Sequence, residues 1–261
     1  MEVIVCRDYE EMSAKAAEIV IGAVRKKPKF VLGLATGTTP LGLYKRMAEA
    51  NRAGKVDFSK VVTFNLDEYV GLAPDHVQSY RHFMDANLFN HVNINKVNTH
   101  VPDGKAKSLL AACEKYEQMI ADAGGIDLQV LGIGRDGHLG FNEPGTSLAS
   151  RTQVVVLTEE TIEDNSRLFQ NKDEVPRFAV TMGIQTILNA RCCLMMANGK
   201  NKADAVKGCV EGPVTAMNTA SALQMHPNAV VIVDEAAAAK LELLDYYKWC
   251  RKGKEQLTNL L

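Results

Sequence analysis

The chain of 261 residues lacks a charge imbalance: 30 Lys and Arg stand against 31 Asp and Glu, a net charge of −1. With no basic excess to neutralise phosphates, binding to nucleic acid or to a membrane surface is not expected. A local basic pocket for a small anion stays open. No apolar stretch approaches the length of a membrane span. The start, Met1-Glu2-Val3-Ile4-Val5-Cys6, lacks the basic segment and long apolar core of a secretory signal. Cys-x-x-Cys is absent, and the six cysteines (Cys6, Cys113, Cys192, Cys193, Cys209, Cys250) are scattered. They read as reduced thiols of a cytosolic protein rather than a disulfide framework. There is no Pro/Ser-rich linker, low-complexity tract or internal repeat. A single domain over residues 1–261 is therefore expected, soluble and cytoplasmic, with 46 % hydrophobic residues to form a large core.

What is present is a rhythm. Short β-rich runs at 3–6, 30–34, 61–66, 128–132, 154–157, 194–197 and 230–233 alternate with helical patterns. Asp8 and Glu11 open the first helix, and Met12, Ala16, Ile19, Val20, Ala23 and Val24 follow at helical spacing. Another helix begins at Pro40 with Thr39 as its cap, another is capped by Ser79, and one at 108–123 stops at Gly124-Gly125. Further helices are expected at 158–168, 183–188, 202–210 and 235–249. The pattern predicts an α/β fold, a mostly parallel sheet with helices on both faces. Its ligand site should lie at the carboxyl edge of the sheet, at a topological switch point.

Four constellations carry candidate chemistry. The run Asp136-Gly137-His138-Leu139-Gly140-Phe141-Asn142-Glu143-Pro144 packs two carboxylates and an imidazole into a loop that its glycines and proline keep from being helical. Asp136 and Glu143 can orient His138 and favour its protonated form; a hydrogen-bonded structural histidine is the plainer alternative. The turn Thr36-Gly37-Thr38-Thr39 joins a strand to a helix, where N–H groups and the helix dipole favour an anion, although an ordinary turn uses the same residues. Asp67 and Glu68 follow the run 61–66; adjacent acids on extended chain point oppositely, so one can face a pocket. A desolvated carboxylate there could abstract a carbon-bound proton; a solvated loop acid or helix cap is the alternative. Lastly, Arg167 and the pair Lys200 and Lys202 are surface charges that could meet a phosphate.

Two other readings fail. Gly132-Ile133-Gly134-Arg135-Asp136-Gly137 fits a dinucleotide fingerprint, but Gly140 and Pro144 prevent the helix that such a fingerprint must open. A metal site competes for the His138 loop, yet the sequence offers no His-x-x-x-His or cysteine set.

Together these motifs resemble the glucosamine-6-phosphate deaminase family: Thr-Gly-Thr-Thr-Pro at 36–40, Phe-Asn-Leu-Asp-Glu-Tyr at 64–69, Gly-x-Gly-x-Asp-Gly-His at 132–138, Phe-Asn-Glu-Pro at 141–144, Ser-Leu-Ala-Ser-Arg-Thr at 147–152 and Gly-x-x-Lys at 199–202. The resemblance implies a Rossmann-like fold and conversion of D-glucosamine 6-phosphate and water to D-fructose 6-phosphate and ammonia, a step of amino-sugar catabolism. It implies phosphate bound by Thr36, Gly37, Thr38, Thr39, Arg167 and Lys202. His138, with Asp136 and Glu143, would open the sugar ring, and Asp67 would move the C2 proton to C1. No metal or organic cofactor is implied; the partner is the small sugar phosphate, and a homo-oligomer is compatible with the family.

The runner-up is 6-phosphogluconolactonase, which shares the Gly-x-Gly-x-Asp-Gly-His loop but has no need of a C2 base. A sugar-phosphate sensor attached to a DNA-binding unit is a third reading, and the helix after residues 3–6 leaves no room for one. Members activated by N-acetylglucosamine 6-phosphate carry basic residues two and four positions after the Arg of Ser-Arg-Thr. Here Gln153 and Val155 stand there beside Arg151, so activation is expected to be weak or absent.

Overall fold

A computed structural model describes residues 1–167, 169 and 171–258. The strands are β1 (Glu2–Cys6), β2 (Val31–Leu34), β3 (Val62–Asn65), β4 (Asp67–Tyr69), β5 (Thr99–His100), β6 (Leu128–Leu131), β7 (Gln153–Val156), β8 (Phe178–Thr181), β9 (Cys193–Ala197) and β10 (Ala229–Asp234). The helices are α1 (Tyr9–Lys26), α2 (Leu41–Arg52), α3 (Tyr80–Asn87), α4 (Leu109–Asp122), α5 (Glu159–Ser166), α6 (Ile184–Leu188), α7 (Ala203–Val210) and α8 (Leu244–Thr258).

Seven strands form a parallel sheet in the order β1-β10-β9-β6-β2-β3-β5. Its central strands are mostly apolar because both faces are covered. Alternate residues enter opposite layers: Val31, Phe64, Leu131 and Met195 in one, Leu32, Leu34, Val130 and Met196 in the other. Met12, Ala16, Val20 and Val24, spaced by four, put one stripe of α1 into the second layer together with Leu43, Tyr44 and Met47 of α2. Tyr116 and Ile120 of α4, Ile184 and Ile187 of α6, and Val206 and Cys209 of α7 fill the first. The expected α/β architecture is thus present. The order of strands reverses between β2 and β6, and the loops that leave their carboxyl ends are the 36–40 turn and the His138 loop.

A second sheet, β4-β8-β7, is antiparallel. The run 154–157, read from the sequence as a further strand, falls on β7 and belongs to this sheet, not to the parallel one. β4, β5 and β8 were not expected: Asp-Glu-Tyr and the two-residue β5 carry little strand signal, whereas Phe-Ala-Val-Thr of β8 carries one that was passed over. The run expected to be one strand at 61–66 ends at Asn65, and Leu66 then bridges the sheets, its N–H on Leu34 O (3.1 Å) and its O taking Met182 N (2.7 Å).

The helices expected to start at Pro40 and at 235 differ from expectation. Pro40, not Thr39, stands at the cap of α2, and the Tyr9 hydroxyl takes Gly42 N (2.8 Å) in place of a threonine cap. The helix expected at 235–249 begins only at Leu244. Asp234 accepts Ala237 N (2.7 Å) and turns the chain, and the side-chain bond competes with helix formation. The end of the helix expected at 158–168 falls on residue 168, outside the described residues.

Candidate active site

β4 decides which of the two adjacent acids matters. Asp67 and Glu68 point to opposite sides of the strand, as extended backbone requires. Glu68 turns back on the start of α3, where its carboxylate accepts Tyr80 N (2.9 Å) and Arg81 N (3.0 Å). It is a helix cap. Asp67 pairs with Thr181 of β8 and faces the His138 loop: a Cβ placed on Gly140 would lie 3.3 Å from Asp67 Oδ2 and 2.8 Å from Thr181 Oγ1. Only glycine, at φ +58, lets the loop pass this close. Asp67 is 5 % exposed, and burial, reinforced by the neighbouring Glu68 charge and moderated by His138, pushes its carboxyl up to about 7.

In the loop itself, His138 Nδ1 lies 2.8 Å from Asp136 Oδ1 and 3.3 Å from Glu143 Oε2. It stands between the two carboxylates, aligned as a hydrogen-bond donor to neither. Burial works against the imidazolium, but the two carboxylates outweigh it and raise His138 to about 9. In return the imidazolium overcomes the effect of burial on its partners, holding Asp136 down at about 2 and Glu143 below the usual carboxylate range. At neutral pH the site therefore holds a charged imidazole between two charged acids, opposite an acid poised to lose its proton. The decoy fingerprint gains a meaning: a Cβ on Gly134 would come 2.5 Å from the His138 ring and 2.7 Å from Asp136 Oδ1. The glycine makes room for the imidazole, not for a pyrophosphate.

Asp136, His138 and Glu143 also place ligand-type atoms within 4.8 Å of one another. A tetrahedral zinc with bonds of about 2.0–2.1 Å holds its donors roughly 3.3 Å apart. Nδ1 and Asp136 Oδ1, at 2.8 Å, are closer than that.

The turn after β2 has Gly37 at φ +96, and none of the N–H groups of residues 36–39 donates a hydrogen bond within the described chain. Unpaired N–H groups at a turn before a helix suit an anion. Thr39 Oγ1 donates to Asn198 Oδ1 (3.1 Å), which joins this turn to the loop after β9. Gly199 in that loop is anchored by Asp234 (3.0 Å), and half-buried Lys202 follows at the start of α7. Arg167, exposed at the end of α5, makes no hydrogen bond or ion pair with the turn or the His138 loop among the described residues. The four acid–base residues, the turn and the Lys202 loop all rise from the carboxyl edge; Arg167 is not drawn in.

Three contributors escaped the sequence reading. Tyr80 stacks on Phe141 (5.9 Å, 13°), with its hydroxyl 3.5 Å from that of Tyr69 and burial raising it well above the ordinary tyrosine range. Thr181 Oγ1 accepts Phe141 N (3.1 Å), and Thr161 bonds Glu143. All lie on other elements, so no local spacing marks them.

A hollow of about 680 Å³ opens elsewhere, between the 101–106 loop and α4, lined by Arg81, His100, Lys105, Lys115, Tyr116 and Met119. It meets the back of β4 at Glu68 but reaches neither Asp67 nor the His138 loop. Size alone does not locate chemistry; the perturbed, mutually facing acid–base groups do.

Residues 8–235 match the family described as glucosamine-6-phosphate isomerases/6-phosphogluconolactonase. The chain belongs to this family. Within it, the chain is 54 % identical over 239 residues to the glucosamine-6-phosphate deaminase of Thermoanaerobacter pseudethanolicus (strain ATCC 33223 / 39E), covering 92 % of this chain and 94 % of that one. It is 51 % identical over 261 residues to the deaminase of Cellvibrio japonicus (strain Ueda107), covering 100 % and 99 %. A solved structure described as a monomeric glucosamine-6-phosphate deaminase superposes with a TM-score of 0.90 at 44 % identity, over 92 % of this chain and 100 % of that chain. The 6-phosphogluconolactonase of Trypanosoma brucei gives a TM-score of 0.74 at 20 % identity, over 92 % and 98 %, a likeness of fold alone.

Proposed function

We propose that the chain, acting as one α/β unit, converts D-glucosamine 6-phosphate and water to D-fructose 6-phosphate and ammonia. The observation that carries this is Asp67: a buried carboxylate with its pKa near 7, facing a protonated His138 across the switch-point crevice. A lactonase needs no such base, and the deaminase relatives share half of the sequence.

In this reading the phosphate sits on the N–H groups of residues 36–39, with Lys202 supplying positive charge. Because Nδ1 faces the two acids, Nε2 of His138 is the nitrogen left for the sugar. The imidazolium gives its proton to the ring oxygen as the C1–O bond breaks, and then takes the proton of the anomeric hydroxyl as the C1 carbonyl forms. The new carbonyl acidifies the C2 proton; Asp67 removes it and returns it to C1 through an enolamine. The C2 imine so formed adds water and expels ammonia. The reaction is taken to be cytoplasmic, since a sugar phosphate made inside a cell is kept there by its charge. For self-association the chain offers Leu243, Tyr246 and Trp249, exposed at and near the start of α8.

The test is joint detection of ammonia and fructose 6-phosphate from glucosamine 6-phosphate, with 6-phosphogluconolactone as control. Equal amounts of both products, with the lactone untouched, support the proposal; lactone hydrolysis without ammonia release defeats it.

Two further results are expected. Asp67 must be ionised and His138 protonated at the start, so kcat/KM should rise with pH through about 7 and fall through about 9. The limbs belong to the coupled group, not to single residues. A profile flat from pH 6 to 8 would contradict the assignment. Saturation should also be hyperbolic and unaltered by N-acetylglucosamine 6-phosphate. Gln153 Nε2 donates to Asn142 Oδ1 (3.2 Å), Val155 packs against the cluster of Tyr69 and Phe141, and Arg151 is paired with Glu117. Sigmoidal curves made hyperbolic by that sugar would refute this.

A further inference from the structure

We infer that Thr161 is a positioning residue for ring opening: its hydroxyl holds the Glu143 carboxylate in place against His138. The inference rests on the function proposed above and adds a residue that no active-site motif contains.

Thr161 Oγ1 donates to Glu143 Oε1 at 2.5 Å, and both residues are 8 % exposed. The other oxygen, Oε2, is the one 3.3 Å from His138 Nδ1. Thr158 Oγ1, which caps α5 by accepting Thr161 N (3.2 Å), lies 3.1 Å from Thr161 Oγ1 and 3.3 Å from Glu143 Oε1. Among the described contacts of the Glu143 side chain, these two threonines and His138 are the only partners. A glutamate has several rotatable bonds, and leaving them free in the unliganded site means ordering them during the reaction. Fixing one oxygen through Thr161 sets the direction of the other. The clamp belongs to the first turn of α5, remote in sequence from the loop it steadies. The geometry also fits the charge: a short bond to Oε1 favours the ionised carboxylate, which in turn favours the imidazolium. The charged or titratable groups facing His138 are Asp136 and Glu143 from its own loop and Asp67 from β4.

Thr161→Val keeps the shape and removes the hydroxyl; Thr161→Ser keeps the hydroxyl. With glucosamine 6-phosphate, the valine variant should lose about tenfold to a hundredfold in kcat, the range for a slightly misplaced catalytic group. Its affinity for the reduced, open-chain amino-alditol 6-phosphate, which cannot form a ring, should match wild type. In NMR titrations without substrate, the His138 midpoint should fall toward neutrality. The serine variant should restore both kcat and midpoint. Wild-type kcat and midpoint in the valine variant would overturn the inference. So would a serine variant as impaired as the valine one, or equal losses in alditol binding and kcat, since either would mean general loosening of α5. The titration needs no turnover, so a failure of the proposed reaction would be visible separately, as wild-type enzyme that releases no ammonia.

Discussion

Asp67→Asn is expected to reduce kcat by roughly a hundredfold to ten-thousandfold, the usual contribution of a general base, while substrate affinity stays close to wild type. The amide fills the same space but cannot take the C2 proton. Affinity should survive because the groups proposed to hold the phosphate, at residues 36–39 and Lys202, lie on other strand ends. A structural role for Asp67 would predict a lowered thermal midpoint, and its burial argues for the opposite. It is buried, and its ionised form is disfavoured by burial and by Glu68. Replacing it by a neutral side chain removes a desolvation cost above pH 7, so the thermal midpoint should hold or rise as activity vanishes. Activity lost together with a lowered midpoint would mark Asp67 as a structural residue. Thermal unfolding and initial rates on one preparation decide between the two.

His138→Gln is expected to lose a comparable amount on glucosamine 6-phosphate and much less on an analogue lacking the hydroxyl that closes the ring. Glutamine cannot shuttle a proton, so ring opening suffers directly. Enolisation at C2 depends on Asp67 across the crevice and is affected only through the lost positive charge. The substitution also leaves Asp136 and Glu143 facing each other without their shared cation, which should raise the pKa of one of them. Equal losses on the closed and open substrates would remove His138 from ring opening.

How far the sequence reached can be judged from particular residues. The parallel sheet was legible because strands such as 193–197 and 229–233 are apolar on both faces, and a run of that kind has few other uses. The His138 loop was legible because its acids, imidazole and glycines are neighbours in the chain. Asp67 could be paired with a pocket only by resemblance; nothing in Asp-Glu-Tyr tells which acid faces inward. That choice is made by β8, a partner more than a hundred residues away, through the Asp67–Thr181 register. Thr161 and Thr181 escaped for the same reason: a threonine's role here is set by what folds against it. The C-terminal helix was misplaced because Asp234, at the end of β10, also caps a turn.

The proposed reaction requires Asp67 to exchange a proton with the second carbon of an anchored sugar phosphate. The direct measurement uses glucosamine 6-phosphate deuterated at C2, incubated with wild-type enzyme and with Asp67→Asn, reading the position of the label by mass spectrometry and NMR. With wild type, turnover should show a primary isotope effect and the deuterium should appear at C1 of fructose 6-phosphate or in water; with Asp67→Asn, recovered substrate should keep its label at C2. Washout of the label by the asparagine variant at the wild-type rate would contradict the claim.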